Sequence, residues 1–304
     1  IQDRNEEKRK MMDGGRKFSF SVAMCVYGGD NAEYFREALG SVFTQTRTPD
    51  EVVLVVDGPV PESIDDVIRY FQDNYKQLQV IRLPENMGHG IARKTGISRC
   101  VNPYIAIADA DDINLPERFE TQMRCFEEDP ALDVVGSAHS KFIGTEDNVV
   151  AVSSRPERHE AIVRLMKSKC PVTQACVMFS KKIYDASGGY VDWYCAEDYY
   201  LWIRMYEAGG IFYNCPEVLV KVRTSEDQYK RRGGWKYFKS TAGISAYMYR
   251  KGIIGLGRHI KNVVPRFVLQ VLMPSGLRGT VRNSMIRNNT KKLQDEKHGG
   301  STEQ

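Results

Sequence analysis

The sequence lacks most of what a membrane-embedded, disulfide-held or zinc-dependent protein needs. No apolar run approaches the roughly 18 residues of a membrane-spanning helix, so no span is expected. The amino-terminal IQDRNEEKRKMMDGGRK has no apolar core and is expected to be neither a signal peptide nor an anchor; residues 1–17 are expected to form a disordered leader. Seven cysteines stand singly, with no Cys-x-x-Cys pair, which fits reduced cytosolic thiols in the core better than a disulfide framework or a structural zinc site. The five histidines show no HExxH or comparable spacing. Two phosphate loops are missing as well. In GHGIARKTG, Arg93 stands where a Walker A motif needs glycine, and the third glycine comes too late for GxGxxG.

What is present is a chain of 304 residues, 42% hydrophobic and 27% charged, long enough for one large α/β domain with an appendage. Its net charge of +4 hides an asymmetry: from Lys221 onward 18 Lys and Arg face 5 Asp and Glu. The tail is therefore strongly basic and the remainder acidic, so an anionic partner for the tail is expected.

From Phe18 strand-like and helix-like segments alternate. FSFSVAMCVY, EVVLVVDG, LQVIRLP and YIAIAD read as strands, and the segments between them carry apolar residues at helical spacing, such as Phe35, Leu39, Val42 and Phe43. LDVVGSAHSKFIG reads as a fifth strand, TQACVMFS and VLVKVR as later ones, and CAEDYYLWIRMYEAGG as an amphipathic helix. Nearly continuous apolar strands separated by helices predict a parallel sheet covered on both faces. In such a sheet ligands bind beyond the carboxyl ends of the strands, where Tyr27, Asp57, Asp109 and Asp111 stand.

Four constellations carry potential chemistry. In IAIADADDINLP an apolar strand stops at three carboxylates in four residues, which repel unless a cation joins them; a strand-end Asp-x-Asp suits Mg²⁺ or Mn²⁺ shared with phosphates. The alternative is a turn-rich acidic loop. In ENMGHGIARK, Gly88 and Gly90 permit close backbone approach and Arg93 can reach an anion near the helix start, or the segment is a plain loop-to-helix transition. In CAEDYYLWIRM, Glu197 and Asp198 begin a helix, as a fixed general base or simply as favourable acids at a helix N-terminus. RTSEDQYKRRGG offers Arg231 and Arg232 either for phosphate or as a solvated charge run.

In combination, SVAMCVYGGDNAEYFREALGSVFTQTRTPDEVVLVVDGP, ENMGHGIARKTGI, YIAIADADDINLPERFETQ and GGYVDWYCAEDYYLWIRMYEAGG resemble the family 2 inverting glycosyltransferases of the GT-A fold, over roughly Phe18 to Arg232. VVLVVDGPVP and RRGG point to the bacterial capsule, exopolysaccharide and O-antigen enzymes of the amylovoran type. The resemblance implies a Rossmann-like, mostly parallel α/β sheet with helices on both faces. It implies a nucleotide-binding half at 18–140, an acceptor-binding half at 141–232 and a basic helical extension at 233–304. It further implies that Asp57 contacts the nucleotide base, with Tyr27, Gly88, Arg93 and Arg231 also on the donor side. Asp109 and Asp111 would then bind ribose and a metal-bridged diphosphate through Mg²⁺ or Mn²⁺, with Asp198 as catalytic base and Glu197 beside the acceptor. A UDP-sugar donor, a glycan or lipid-linked oligosaccharide acceptor, and a cytoplasmic site at the inner face of the plasma membrane follow from the same likeness.

Two departures stand out. Processive synthases carry QxxRW, whereas Gln228 here leads to Arg231 and Arg232, so extrusion of a polymer is not expected. Thr173 and Gln174 replace the Asn-His that relatives often place before the strand; Gln174 is expected to face the acceptor. In the basic tail, Leu256, Ile260, Val263, Phe267 and Val271 fall near one helical face, kinked at Pro265, suited to a membrane interface or to packing on the catalytic domain. Nucleic acid is not expected, since aromatics are not interleaved with the C-terminal basic residues. Rival readings are a haloacid-dehalogenase-like phosphatase, for which DADDI has Ile113 in place of Thr or Val and lies on the fourth strand instead of the first, and a nucleotidyltransferase, for which the Gly-rich loop after the first strand is missing. A non-catalytic, membrane-associated glycan-binding scaffold is the third.

Overall fold

A computed structural model of the chain describes residues 18–224 and 234–272. The leader, Arg231 and Arg232 lie outside the described residues.

The first half is a parallel sheet in spatial order β3-β2-β1-β4, from β1 (Phe20–Tyr27), β2 (Glu51–Asp57), β3 (Leu78–Arg82) and β4 (Tyr104–Ala108). Helices α1 (Ala32–Phe43), α2 (Glu62–Asn74) and α3 (His89–Arg99) make the crossovers. Strand periodicity explains why every residue of EVVLVVD is buried: Val52, Leu54 and Val56 enter one apolar layer with Phe35 and Ile68, while Val53 enters the other with Ile97. After β3 the chain crosses back over β1 to lay down β4, and this reversal opens a crevice at the carboxyl ends of β1 and β4.

Next come β5 (Ile113–Asn114), α4 (Arg118–Glu128), β6 (Val134–Phe142), β7 (Val149–Ser153), α5 (His159–Met166), β8 (Met178–Ser180), α6 (Lys181–Ala186), α7 (Glu197–Glu207) and β9 (Phe212–Arg223). They extend the sheet as β4-β8-β6-β9-β5, with β7 on β6. The sheet is mostly parallel, as expected, but β8 runs antiparallel to both β4 and β6, β7 to β6 and β5 to β9. TQACVMFS also differs from the expected strand: Gln174–Cys176 is a single 3₁₀ turn and only Met178–Ser180 pairs. The last strand starts at Phe212 instead of Val218, with register shifts against β6 between Ser137 and His139 beside Pro216, which has no N–H for the ladder. The elements β5, β7 and α6 are too short for periodicity to reveal.

Two helices follow, α8 (Gly234–Arg250) and α9 (Leu256–Phe267), the latter passing through Pro265 into a π-helical turn at Val268–Leu272. Ile244 and Met248 of α8 share the apolar layer that holds Trp202 of α7. The expected apolar face of α9 is corrected by packing. Phe267 turns inward against Trp235 and Phe238, and the open face is instead Leu256, Ile260, Val264, Val268 and Leu272, each 45–61% exposed.

Arg118 pins the sheet's middle. Fully buried, it donates to the carbonyls of Ile107 (2.8 Å) and Val177 (3.2 Å), to Gln122 and to Asn114. Arg118→Ala strands those acceptors without donors and is expected to cost about 3 to 5 kcal/mol, read as a lower urea midpoint.

Candidate active site

Two cavities open at the carboxyl edge of the sheet, of about 490 and 350 Å³, and both are lined by His89, Asp109 and Asp111. Tyr27, Asp30 and Asp57 line the smaller; Gln174, Glu197 and Asp198 line the larger. The crevice thus brings together the strand-end aspartates with the acids of α7, across some 90 residues of chain.

On the smaller side, Tyr27 ends β1 and is 44% exposed. The GGDN turn after it folds by its own polar groups: Asp30 accepts from the Tyr27 amide (3.0 Å), and Asn31 caps α1 by accepting from the amides of Glu33 and Tyr34. Burial first, and Asp109 in addition, raises the Asp30 carboxyl above its ordinary range. Asp57 is buried, and its oxygens accept from the amides of Met87 (2.7 Å) and Gly88 (3.0 Å), so the carboxylate holds the loop that opens α3. That loop comes close because Gly58, at φ +83°, has no Cβ; one built there would lie 2.6 Å from the Asn86 amide. Gly88, also at positive φ, caps α3 and lines neither cavity.

The acidic run has cationic partners within the protein. Arg93, 4% exposed, pairs with Asp109, and its Nε donates to His89 Nε2 at 2.8 Å while its Nη1 has no partner. Asp112 accepts from the Arg223 amide (2.8 Å), and Arg223 Nε donates to the Asp111 carbonyl (3.1 Å), tying the acidic loop to β9. Burial, then Asp109 and Asp111, pushes the Asp112 carboxyl well up. Asp111 is in no ion pair among the described residues. Burial, Asp109 and Asp30 raise its carboxyl to about 6.

Around the larger cavity, Cys195 at φ +55° turns the chain into α7, whose first residues are Glu197 and Asp198. Burial and then Asp198 raise the Glu197 carboxyl. Asp198 accepts from the Tyr199 amide (2.6 Å) and lies 3.6 Å from the Cys170 thiol. Gln174 donates to the buried Tyr190 hydroxyl at 3.0 Å.

His89 escaped the sequence reading, which looked only for metal spacing. Because its Nε2 accepts from Arg93, its proton resides on Nδ1, 3.9 Å from Glu197 Oε1. Its side chain is 57% exposed, yet the Arg93 guanidinium and then burial lower its pKa to about 4, so the ring is neutral at pH 7. Glu197, His89, Arg93 and Asp109 form one line across the boundary between the cavities. Its i, i+4 spacing to Arg93 on one helix face was the signal available. Arg231, expected on the donor side, lies outside the described residues.

Among the described residues no group of three or more His, Cys, Asp or Glu is set to hold a metal ion. The oxygens of Asp109 and Asp111 nonetheless suit a hard cation, and the raised Asp111 carboxyl marks unrelieved negative charge.

The fold is of the GT-A type. The profile of Glycosyl transferase family 2 matches residues 21–188, and the chain belongs to that family. It is 36% identical to the amylovoran biosynthesis glycosyltransferase AmsE of Erwinia amylovora, over 73% of this chain and 82% of the relative. It is 31% identical to the Escherichia coli UDP-Gal:alpha-D-GlcNAc-diphosphoundecaprenol beta-1,3-galactosyltransferase, over 88% and 96%. Its fold resembles S. aureus TarS 1-349 in complex with UDP-GlcNAc, at a TM-score of 0.64 and 15% identity, over 83% and 75% of the two chains.

The crowded carboxylates have a consequence for stability. Since the folded state raises the Asp111 pKa above its unfolded value near 4, folding binds the proton more tightly, and the native state is penalised as pH rises through about 6. Asp111→Asn is therefore expected to stabilise the metal-free protein by about 1 to 3 kcal/mol at pH 7.5, with the gain gone below about pH 4, in parallel thermal melts. Mg²⁺ or Mn²⁺ should raise the melting temperature of the wild type alone.

Proposed function

We propose that the chain moves a hexose from a nucleotide-diphosphate sugar, a UDP-sugar, to a sugar hydroxyl of a lipid-linked acceptor, with inversion, in cell-surface polysaccharide synthesis. The observation that carries this is the pair of cavities meeting at His89, Asp109 and Asp111, with Asp198 on one side and Tyr27 and Asp57 on the other. In this reading residues 18–140 hold the nucleotide and 141–232 the acceptor. The relatives support the substrate classes: one is named for UDP-Gal and a diphosphoundecaprenol acceptor.

Asp198 takes the proton of the acceptor hydroxyl as that oxygen attacks the anomeric carbon and the nucleoside diphosphate leaves from the opposite face. The Tyr199 amide and the Cys170 thiol hold Asp198 at the cavity wall. Asp57 holds the loop under the base, and Arg93 keeps Asp109 fixed for the ribose. Asp109 and Asp111 would hold Mg²⁺ or Mn²⁺, which supplies positive charge against the departing diphosphate. Arg231 adds to that charge. His89, neutral and bonded to Arg93, positions Glu197.

Asp198→Asn should lower kcat by about 10² to 10⁴ while nucleotide binding stays within a factor of two, measured with UDP-sugar and a synthetic lipid-linked acceptor. A variant within threefold of wild type sinks the assignment of Asp198.

The same reading places the protein in the cytoplasm, peripheral at the inner face of the plasma membrane, through α9. Its open stripe of Leu256, Ile260, Val264, Val268 and Leu272 repeats at every fourth residue, and residues 234–272 contain seven Lys and Arg and no acid. An apolar stripe within a wholly cationic segment matches an anionic bilayer, where chains enter the interface and phosphates meet the charges. The helix is anchored to the segment that leads into the larger cavity's wall: Asn262 donates to the Lys167 carbonyl and Arg266 to that of Ser168, two residues before the lining Cys170. The full chain should sediment with phosphatidylglycerol vesicles, poorly with phosphatidylcholine alone, and at least about tenfold less as Val264→Asp/Val268→Asp. Equal binding by that variant, or a dimer that the variant dissociates, overturns the membrane assignment.

A further inference from the structure

The wall of the larger cavity that carries no catalytic role is basic. His139 and Lys141 stand two apart on β6, on one face of the strand, and Arg155 follows β7, which pairs with β6 so that Ser153 lies opposite His139. All three line the larger cavity and none lines the smaller. Two buried nitrogens on this wall lack partners. His139 is 3% exposed, and its Nδ1 makes no hydrogen bond; the Nε of Arg155 makes none either, and its Nη1 reaches only Ser153 Oγ and the Ser154 carbonyl at 3.4 Å. Buried polar atoms are paired in roughly 90% of cases, so two orphans on one cavity wall mark a place where something else pairs with them. What accepts from an imidazole and a guanidinium beside a lysine is an anion with several oxygens, and phosphate fits that geometry best.

We propose that His139, Lys141 and Arg155 form a phosphate subsite that holds the acceptor's phosphate beside the sugar to be extended. This rests on the reading that the larger cavity takes the acceptor, and it names the recognised group. The position suits the chemistry. Cys170, whose thiol lies 3.6 Å from Asp198 Oδ2, is also within electrostatic reach of Arg155, so the subsite and the base flank one side chain. A sugar joined to phosphate and bound there by its phosphate presents a ring hydroxyl toward Asp198. The donor's own diphosphate belongs at the other wall, with Asp109 and Asp111. With no phosphate bound, Lys141 and Arg155 bear on the buried imidazole in the same sense as burial does, holding His139 at about 4. A bound anion reverses that influence, and His139 then donates from whichever nitrogen faces it.

The test is calorimetric titration of the full chain, saturated with UDP and Mg²⁺, using N-acetylglucosamine 1-phosphate, free N-acetylglucosamine and inorganic phosphate as probes. The sugar phosphate should bind at least tenfold more tightly than the free sugar. Lys141→Gln/Arg155→Gln should erase that difference while UDP affinity stays within twofold. Lys141→Arg/Arg155→Lys should retain the preference to within threefold, which separates lost charge from lost folding. An unchanged preference in the Gln variant overturns the subsite. A parallel loss of UDP affinity reassigns the cluster to the donor's diphosphate, and inorganic phosphate binding as tightly as the sugar phosphate makes it a free-phosphate site. Because every arm reads binding, failure here leaves the transfer reaction itself to be judged by the Asp198 variant.

Discussion

Carboxylates crowded at the reversal point of the sheet are the constraint around which the molecule is arranged. Asp30, Asp109, Asp111 and Asp112 converge from the ends of β1 and β4, and left alone they would drive the crevice open. Three arginines from three distant segments brace their loops; of these Arg93 ion-pairs with one of the four carboxylates, while Arg223 pairs with Glu37. Arg93 of α3 pairs with Asp109, Arg223 at the end of β9 ties down Asp111 and Asp112 through its backbone and side chain, and Arg118 fixes the strand ends from beneath. The neutralisation is incomplete at Asp111, where burial, Asp109 and Asp30 hold the carboxyl pKa at about 6.

The arginines also explain the layout of the two cavities. Arg93 can reach Asp109 only if α3 begins close to the sheet edge, and Asp57 secures that start by accepting from two loop amides that Gly58 lets approach. Once α3 is placed, His89 falls at the boundary between the cavities, with Arg93 on one ring nitrogen and Glu197 near the other. Asp109, Arg93 and His89 are therefore joined by hydrogen bonds across the boundary between the two cavities, and Glu197 stands 3.9 Å beyond them. A loop glycine and a buried aspartate thus govern where His89 and Arg93 stand.

The second half of the sheet serves a different end. The antiparallel β8 and the long β9 carry the sheet past the parallel part and turn the polar edge of β6 toward the larger cavity. The helices α8 and α9 then brace the segments at 167–170 and 193–194 that border the cavity, since Trp193 donates to the Ser240 carbonyl and Ser240 to that of Tyr194.

The sequence by itself determined the parallel half of the sheet, because strands buried on both faces must read as continuous apolar runs, and it determined that the strand-end acids lie on one edge, because all parallel strands end on the same side. It also disclosed the family, through motifs whose order matters more than any one of them. Tertiary structure decided the rest. Which cation meets which aspartate depends on pairs 16 to 112 residues apart, and no local pattern encodes them. The short β5, β7 and α6 carry too few residues for periodicity to register. The outward face of α9 was misjudged by one position because Phe267 finds Trp235 and Phe238 to pack on, and a helix's own spacing cannot say which apolar residues another element will cover. The basic wall of His139, Lys141 and Arg155 was invisible for the same reason: in sequence they are scattered polar residues, and only the pairing of β6 with β7 gathers them around one cavity.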